Sequence, residues 1–280
     1  MATAPGTAFD ELVRIMRALR APGGCPWDRE QTLQSLRPFV LEETYELLDA
    51  LDRQDLTGLR EELGDFLYEA VFLAQIAEDA GHFSIADAVD GIARKLVRRH
   101  PHVFTPDGRP LSEASDLSTG EVTRKWEDLK AAERSAAGTP EKSALDGVPV
   151  VLPALLRAYE LAARAAAVGF DWIRPDDVLD KIEEEVREVR VAATSDSPAA
   201  VEDEIGDLLF AIANYARKLG VEPEAALRAA STKFQRRFTR MEQLARADGT
   251  TLASLPLEAQ NALWDRVKAE AAPAATDAAR

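Results

Sequence analysis

Cysteine and histidine are almost absent from this chain, which has one of the first and three of the second. A lone Cys25 cannot close an internal disulfide and fits a reducing compartment. His82, His100 and His102 lack metal-ligand spacing with the acidic residues, so any metal site must be built from oxygen. No apolar run approaches the roughly 18 residues that a bilayer-spanning helix needs. Met1 to Asp10 show no basic stretch followed by an apolar one, so the expectation is a cytoplasmic protein without a membrane partner. There is no glycine-rich phosphate loop, which argues against P-loop and dinucleotide-binding folds. Sustained alternation of β-branched residues is missing as well, which argues against an appreciable sheet.

Positive charge is in deficit. With 49 Asp and Glu against 34 Lys and Arg, the formal net charge is −15. Such a surface repels the backbone of nucleic-acid polymers and excludes a general DNA or RNA binder. A small polyanion remains compatible where divalent metal and a few basic side chains reverse the local potential.

What the chain does have is a pair of acidic phrases that occurs twice. Glu42, Glu43, Glu46, Glu62 and Asp65 recur as Glu184, Glu185, Glu188, Glu204 and Asp207, each 142 positions later (Glu42 to Glu184), with no gap inside the unit. Each helical residue turns its side chain by about 100°, so the first three acids share one arc and the last two another. Two such helices facing each other would aim five acids at one point. Like charges at i,i+4, as in Glu42 with Glu46 and Glu184 with Glu188, destabilise a helix, and a compensating cation follows. All-oxygen ligands suit Mg2+, with Mn2+ as a substitute.

The rest of each half reads as helix. Apolar residues recur at helical spacing from Phe9 to Leu19, from about Pro38 to Leu51, and again through Leu67, Val71 and Leu73. Thr57 is expected to cap the helix that carries Glu62 and Asp65, and Ser84 with Asp87 to form a capping box on the next. In the second half, helices are expected from Ala154 to Val168 and from Pro175 to Ala193, then from Ser197-Pro198 and from Pro223. The duplication implies two helical domains, residues 1–105 and 151–270. They are joined by a Pro- and Gly-rich connection, 106–150, with a short helix near Glu121 to Arg134 that contains Trp126. The Ala-rich tail 271–280 reads as disordered. The fold class is all-α, with four-helix units whose acids point into a shared interior.

Two divalent ions on carboxylates suit phosphoryl transfer, because they clamp phosphate oxygens and lower the pKa of bound water. A carboxylate left uncoordinated can take the water proton. Gly64 and Gly206 stand between the paired acids in mid-helix, where glycine costs about 1 kcal/mol relative to alanine; packing or site access is a reason to keep it, and a relic of the duplication is another. Basic residues repeat too: Lys95, Arg98 and Arg99 match Lys233, Arg236 and Arg237, each set on one helix face and suited to phosphate oxygens. Cations at a helix C-terminus also complement the macrodipole, which is the plainer reading of the same residues. Lys181, one turn before Glu185, joins the candidate substrate-binding set, and Trp264 offers a ring for stacking on a base or for packing on its own domain.

These residues resemble a known family. Glu-Glu-x-x-Glu followed by Glu-x-x-Asp is similar to the signature of the all-α nucleoside triphosphate pyrophosphohydrolases, and the tandem copy resembles the MazG type. Cys25-Pro-Trp-Asp-Arg-Glu-Gln-Thr32, Leu41-Glu-Glu-Thr-Tyr-Glu46 and Arg98-Arg-His-Pro-His-Val-Phe104 resemble the N-terminal MazG domain. Lys233-Phe-Gln-Arg-Arg-Phe238 and Leu263-Trp-Asp-Arg-Val-Lys268 resemble the C-terminal one. The likeness spans about residues 8–270. It implies a homodimeric helical bundle of tandem four-helix modules that hydrolyses (deoxy)nucleoside triphosphates to monophosphate and pyrophosphate with Mg2+. The metal ligands it implies are Glu185, Glu188, Glu204 and Asp207, with Glu43, Glu46, Glu62 and Asp65 matching in the first half. It puts Lys233 and Arg237 on the phosphates, Trp264 near the base, and Lys95 and Arg99 at the matching N-terminal positions. Glu42 and Glu184 are left to orient or deprotonate water. The likeness associates activity with the second module, although both acid sets are complete.

Two other functions are compatible with parts of this pattern. A di-iron oxygen-activating bundle would use Glu-x-x-His pairs, and no histidine follows any of the ten acids at that spacing. A non-catalytic module that senses nucleotides, or binds a partner through acidic helices, would use the same ligands; absence of pyrophosphate release separates it from an enzyme.

Overall fold

Proline marks where helices begin. Pro5, Pro26, Pro38, Pro175, Pro198 and Pro223 each stand in a first helical turn, where the missing N–H has no intrahelical partner to lose. The computed structural model describes residues 4–112, 116–122, 125, 126, 129, 143–195 and 197–271. Two compact units divide the chain, Met1–Thr139 and Pro140–Arg280.

The first unit contains α1 (Pro5–Arg20), α2 (Pro26–Glu30), α3 (Arg37–Asp52), α4 (Leu56–Asp79) and α5 (Ile85–Arg99). The central helix is α4, against which α1, α3 and α5 pack. Its inner face supplies Val71 and Phe72 to a core completed by Met16 and Leu36, with Phe9, Leu12, Phe39 and Tyr68 around it. Full burial of side chains of this size stabilises by about 1.5–3 kcal/mol each. Arg20 fastens three elements: its guanidinium pairs with Asp79 at 2.6 Å, donates to the Asp28 carbonyl, and lies 5.7 Å from the Phe72 ring centre.

The cap of α4 differs from expectation. The Asp55 carboxylate, not Thr57, accepts from the backbone N–H groups of Thr57 at 3.1 Å and Gly58 at 3.0 Å. A carboxylate reaches the orphan N–H groups two and three residues on and also complements the positive helix end, so it outcompetes the hydroxyl. The Ser84 and Asp87 capping box on α5 forms as expected.

The second unit contains α6 (Ala154–Ala167), α7 (Pro175–Ala192), α8 (Pro198–Lys218), α9 (Pro223–Ala247), a 3-10 turn (Leu252–Ser254) and α10 (Leu257–Ala271). Helix α8 is the counterpart of α4, with α6 and α7 packed along it. Ser197 caps it through the Ala200 N–H. Met241 and Leu244 of α9 form a core with Val267 of α10, edged by Leu263 and Trp264. Asp171, in the loop between α6 and α7, pairs with Arg217 at 2.5 Å and Lys218 at 2.8 Å and so anchors that loop to the end of α8.

Among the described residues there is no strand, only a single bridge between Phe104 and Pro110. The fold is all-α, two tandem helical units. Of the short helix expected near Glu121 to Arg134, residues 121, 122, 125, 126 and 129 are helical and the others lie outside the described residues. The tail lies outside them as well, except Ala271, which closes α10.

Candidate metal centres

The hairpins α3–α4 and α7–α8 each carry one full acidic phrase. In the first unit, carboxylate oxygens of Glu43, Glu62 and Asp65 lie within 4.8 Å of one another. In the second, Glu185, Glu188 and Glu204 meet the same criterion. Convergence is thus narrower than five acids on one point. Glu42 and Glu184 stand one residue, about 100° of helix, before the acid that turns inward, and both are exposed. Glu46 remains within hydrogen-bonding reach of Glu62. Asp207 falls outside its trio, beside a surface depression lined by Glu202, Asp203 and Gly206.

The electrostatics are those of acids held together without enough positive charge. Burial, and then the charges of Asp65, Glu46, Glu62 and Glu42, push the Glu43 carboxyl above its ordinary range. Glu62 is raised by desolvation and by Glu46 and Asp65, and Glu188 by desolvation and Glu185. Lys181 relieves the second cluster: its ammonium lies 2.7 Å from Glu184 and 2.8 Å from Glu185. Hydrogen bonding to Lys181 lowers the Glu184 carboxyl, and the two glutamates raise the lysine.

The residues fit a divalent cation. Glu43 Oε2 and Glu185 Oε2 are buried with no hydrogen-bond partner, and Glu185 as a whole is only 3% exposed. A buried carboxylate oxygen with no donor is costly, and a hard cation with oxygen ligands removes that cost. Glu69, which composition and motif did not single out, belongs to the same region: it is 6% exposed, its Oε2 also has no partner, and burial followed by the charge of Glu43 lifts it to about 6.

The basic residues are arranged separately. Among the described residues, none of Lys95, Lys233, Arg236 or Arg237 forms an ion pair with the acids of its own unit. Arg98 and Arg99 close the last turn of α5. On α9, Arg236 and Arg237 line a groove of about 550 Å³ with Thr232, Arg240, Gln243 and Val267. The Arg237 guanidinium lies 5.8 Å from the Trp264 ring centre, and Phe234 packs on the other partner of that pair at 5.6 Å.

Residues 31–104 match the family described as MazG nucleotide pyrophosphohydrolase domain, and residues 167–234 match phosphoribosyl-ATP pyrophosphohydrolase. A protein from Thermotoga maritima named nucleoside triphosphate pyrophosphohydrolase/pyrophosphatase MazG is 44% identical over 263 residues, 94% of this chain and 96% of its own. The chain belongs to the MazG family. The Escherichia coli K12 relative, named nucleoside triphosphate pyrophosphohydrolase, is 45% identical over 263 residues, 93% of this chain and 97% of its own. Both family matches include acids of the two clusters, Glu43 to Asp65 in one and Glu185 to Asp207 in the other. The phosphoribosyl-ATP match distinguishes the second half from the first, a difference the shared acidic phrase conceals.

Proposed function

We propose that the protein hydrolyses (deoxy)nucleoside triphosphates to the monophosphate and pyrophosphate at its acid clusters, and that the second cluster carries most of this activity. The observation behind this reading is the pair of orphan oxygens, Glu43 Oε2 and Glu185 Oε2, inside two equivalent carboxylate trios of a MazG-family chain. Glu185, Glu188 and Glu204, with Asp207 from the next turn, would hold Mg2+ or Mn2+, as would Glu43, Glu46, Glu62 and Asp65. When bound, such an ion polarises phosphate oxygens and makes bound water more acidic.

The remaining work falls to this chain's side chains. Glu184 is kept ionised by Lys181 and stands at the exposed edge of its trio, where its carboxylate can orient water and accept its proton. Glu42 holds the equivalent place. Lys181, Lys233, Arg236 and Arg237 supply the positive charge for the triphosphate, and Trp264 the ring for its base; Lys95, Arg98 and Arg99 stand in the first half. The Arg237–Trp264 platform belongs to the repeat: at the 138-residue offset that matches Lys95 to Lys233, Arg99 and Trp126 stand at the corresponding places of the first unit.

A second copy of the chain completes the bundle. Leu63, Phe66 and Leu67 on α4, and Ile205, Leu209 and Phe210 on α8, are exposed along the helices that carry the acids, a pattern that favours a homodimer. Among the described residues no helix is long and apolar enough to cross a membrane, and the single free Cys25 supports a cytoplasmic setting.

Pyrophosphate release from nucleoside triphosphates tests the assignment. The pair Glu185→Gln with Glu188→Gln is expected to lower kcat by at least about 100-fold, and Glu43→Gln with Glu46→Gln by far less. Full activity in both double variants overturns it, as does tight nucleotide binding by the unaltered protein with no pyrophosphate released.

A further inference from the structure

The two clusters are not equivalent where the repeat breaks. At the 142-residue offset, Lys181 corresponds to Phe39 and Glu69 to Ala211. Phe39 packs against the first unit's core and stacks edge-on with Trp27 at 5.6 Å, so no cation stands where Lys181 would be. Glu69 lies on α4 at i+7 from Glu62 and i+4 from Asp65, on the helix face that carries both. Its Oε2 is buried and unpartnered, and among the described residues no hydrogen bond accounts for keeping a carboxylate there. Counting the named groups, the first cluster has six carboxylates and no lysine, and the second five carboxylates with Lys181, a formal charge of −6 against −4.

We infer that Glu69 is a further residue of the first metal centre, and that the first centre binds divalent cations more tightly than the second, where Lys181 stands in for part of the ionic charge. The inference rests on the reading that the trios hold divalent metal. Glu69 stands outside the trio whose oxygens meet within 4.8 Å, but one turn from Asp65 on the same helix face its orphan oxygen is a second buried anionic group, with that of Glu43, left for a cation to satisfy. At the second centre the cation must displace the 2.8 Å contact between Lys181 and Glu185 or share the carboxylate with it. Charge count and ligand availability both then favour the first centre.

The test is Mn2+ alone, titrated without nucleotide into the full chain and followed by the electron paramagnetic resonance signal of free Mn2+. Two classes of site are expected, the tighter one removed by Glu43→Gln and the weaker by Glu185→Gln. Glu69→Gln should weaken the tight class about 10-fold or more, and Lys181→Met should strengthen the weak class by a similar factor. Far-ultraviolet circular dichroism establishes that each variant is folded, and the lysine variant tests the same charge argument independently of the buried glutamate. A tight class unchanged by Glu69→Gln, or one removed by Glu185→Gln instead, overturns the inference while leaving metal binding intact. Mn2+ uptake insensitive to both Glu43→Gln and Glu185→Gln would remove the metal centres themselves.

Discussion

Arg237 holds its guanidinium 5.8 Å from the centre of the Trp264 ring, joining α9 to α10 at the rim of the basic groove. The contact keeps a flat aromatic surface and a phosphate-seeking fork at fixed spacing, an arrangement suited to the two ends of a nucleotide. Trp264→Leu should therefore raise KM for nucleoside triphosphates by about 10-fold with a smaller change in kcat, since base stacking is worth about 1–3 kcal/mol. Steady-state kinetics separate this from misfolding, which would scale down kcat through the active fraction and leave KM unchanged.

Capping of α4 gives a prediction about stability alone. Asp55→Ala leaves the Thr57 and Gly58 N–H groups without their acceptor and should cost about 1 kcal/mol in denaturant unfolding. Thr57→Ala should be close to neutral, because its hydroxyl is not the cap.

The buried Glu69 makes the metal-free protein sensitive to pH. Its folded carboxyl titrates near 6, above the usual value of 4.5. The folded state therefore holds this proton more tightly than the unfolded chain, and stability falls as pH rises from about 4.5 through 6. Above that window the whole penalty is present, about 2 kcal/mol. Glu69→Gln, measured in chelator by thermal unfolding, should raise the melting temperature at pH 7.5 and leave it nearly unchanged at pH 4.5.

Gly206 lies between Glu204 and Asp207, and a Cβ built there meets nothing within 4 Å; the same holds at Gly64. Nothing in the chain itself explains glycine in mid-helix, where alanine would be more favourable by about 1 kcal/mol. Gly206→Ala should raise the melting temperature, and should lower kcat/KM if nucleotide or a second copy approaches the helix there. Unfolding and kinetics on one preparation read both effects.

Much of this was legible because helices are periodic. A chain with two acidic phrases at one offset, proline before its apolar stretches and Ser84 three residues from Asp87 leaves little choice of secondary structure, whereas which acids of each phrase meet depends on how the two helices face each other. The choice between Asp55 and Thr57 was harder, since both side chains can cap and only the backbone path decides which one reaches. Glu69 is illegible in the repeat for a different reason: the repeat displays what the halves share, and the significance of Glu69 lies in the mismatch with Ala211. The same offset, read for differences, would have revealed it together with Phe39 and Lys181. How far the arginines lie from the acids depends on tertiary packing of α9 against α6, which spacing along the chain does not encode.

Joining the two halves in one polypeptide has an effect of its own. They are synthesised in a constant one-to-one ratio, whatever the level of expression. One copy can then accumulate changes such as Phe39 and Glu69 while the dosage of its sibling stays untouched, which is a setting in which duplicated machinery can specialise without being lost.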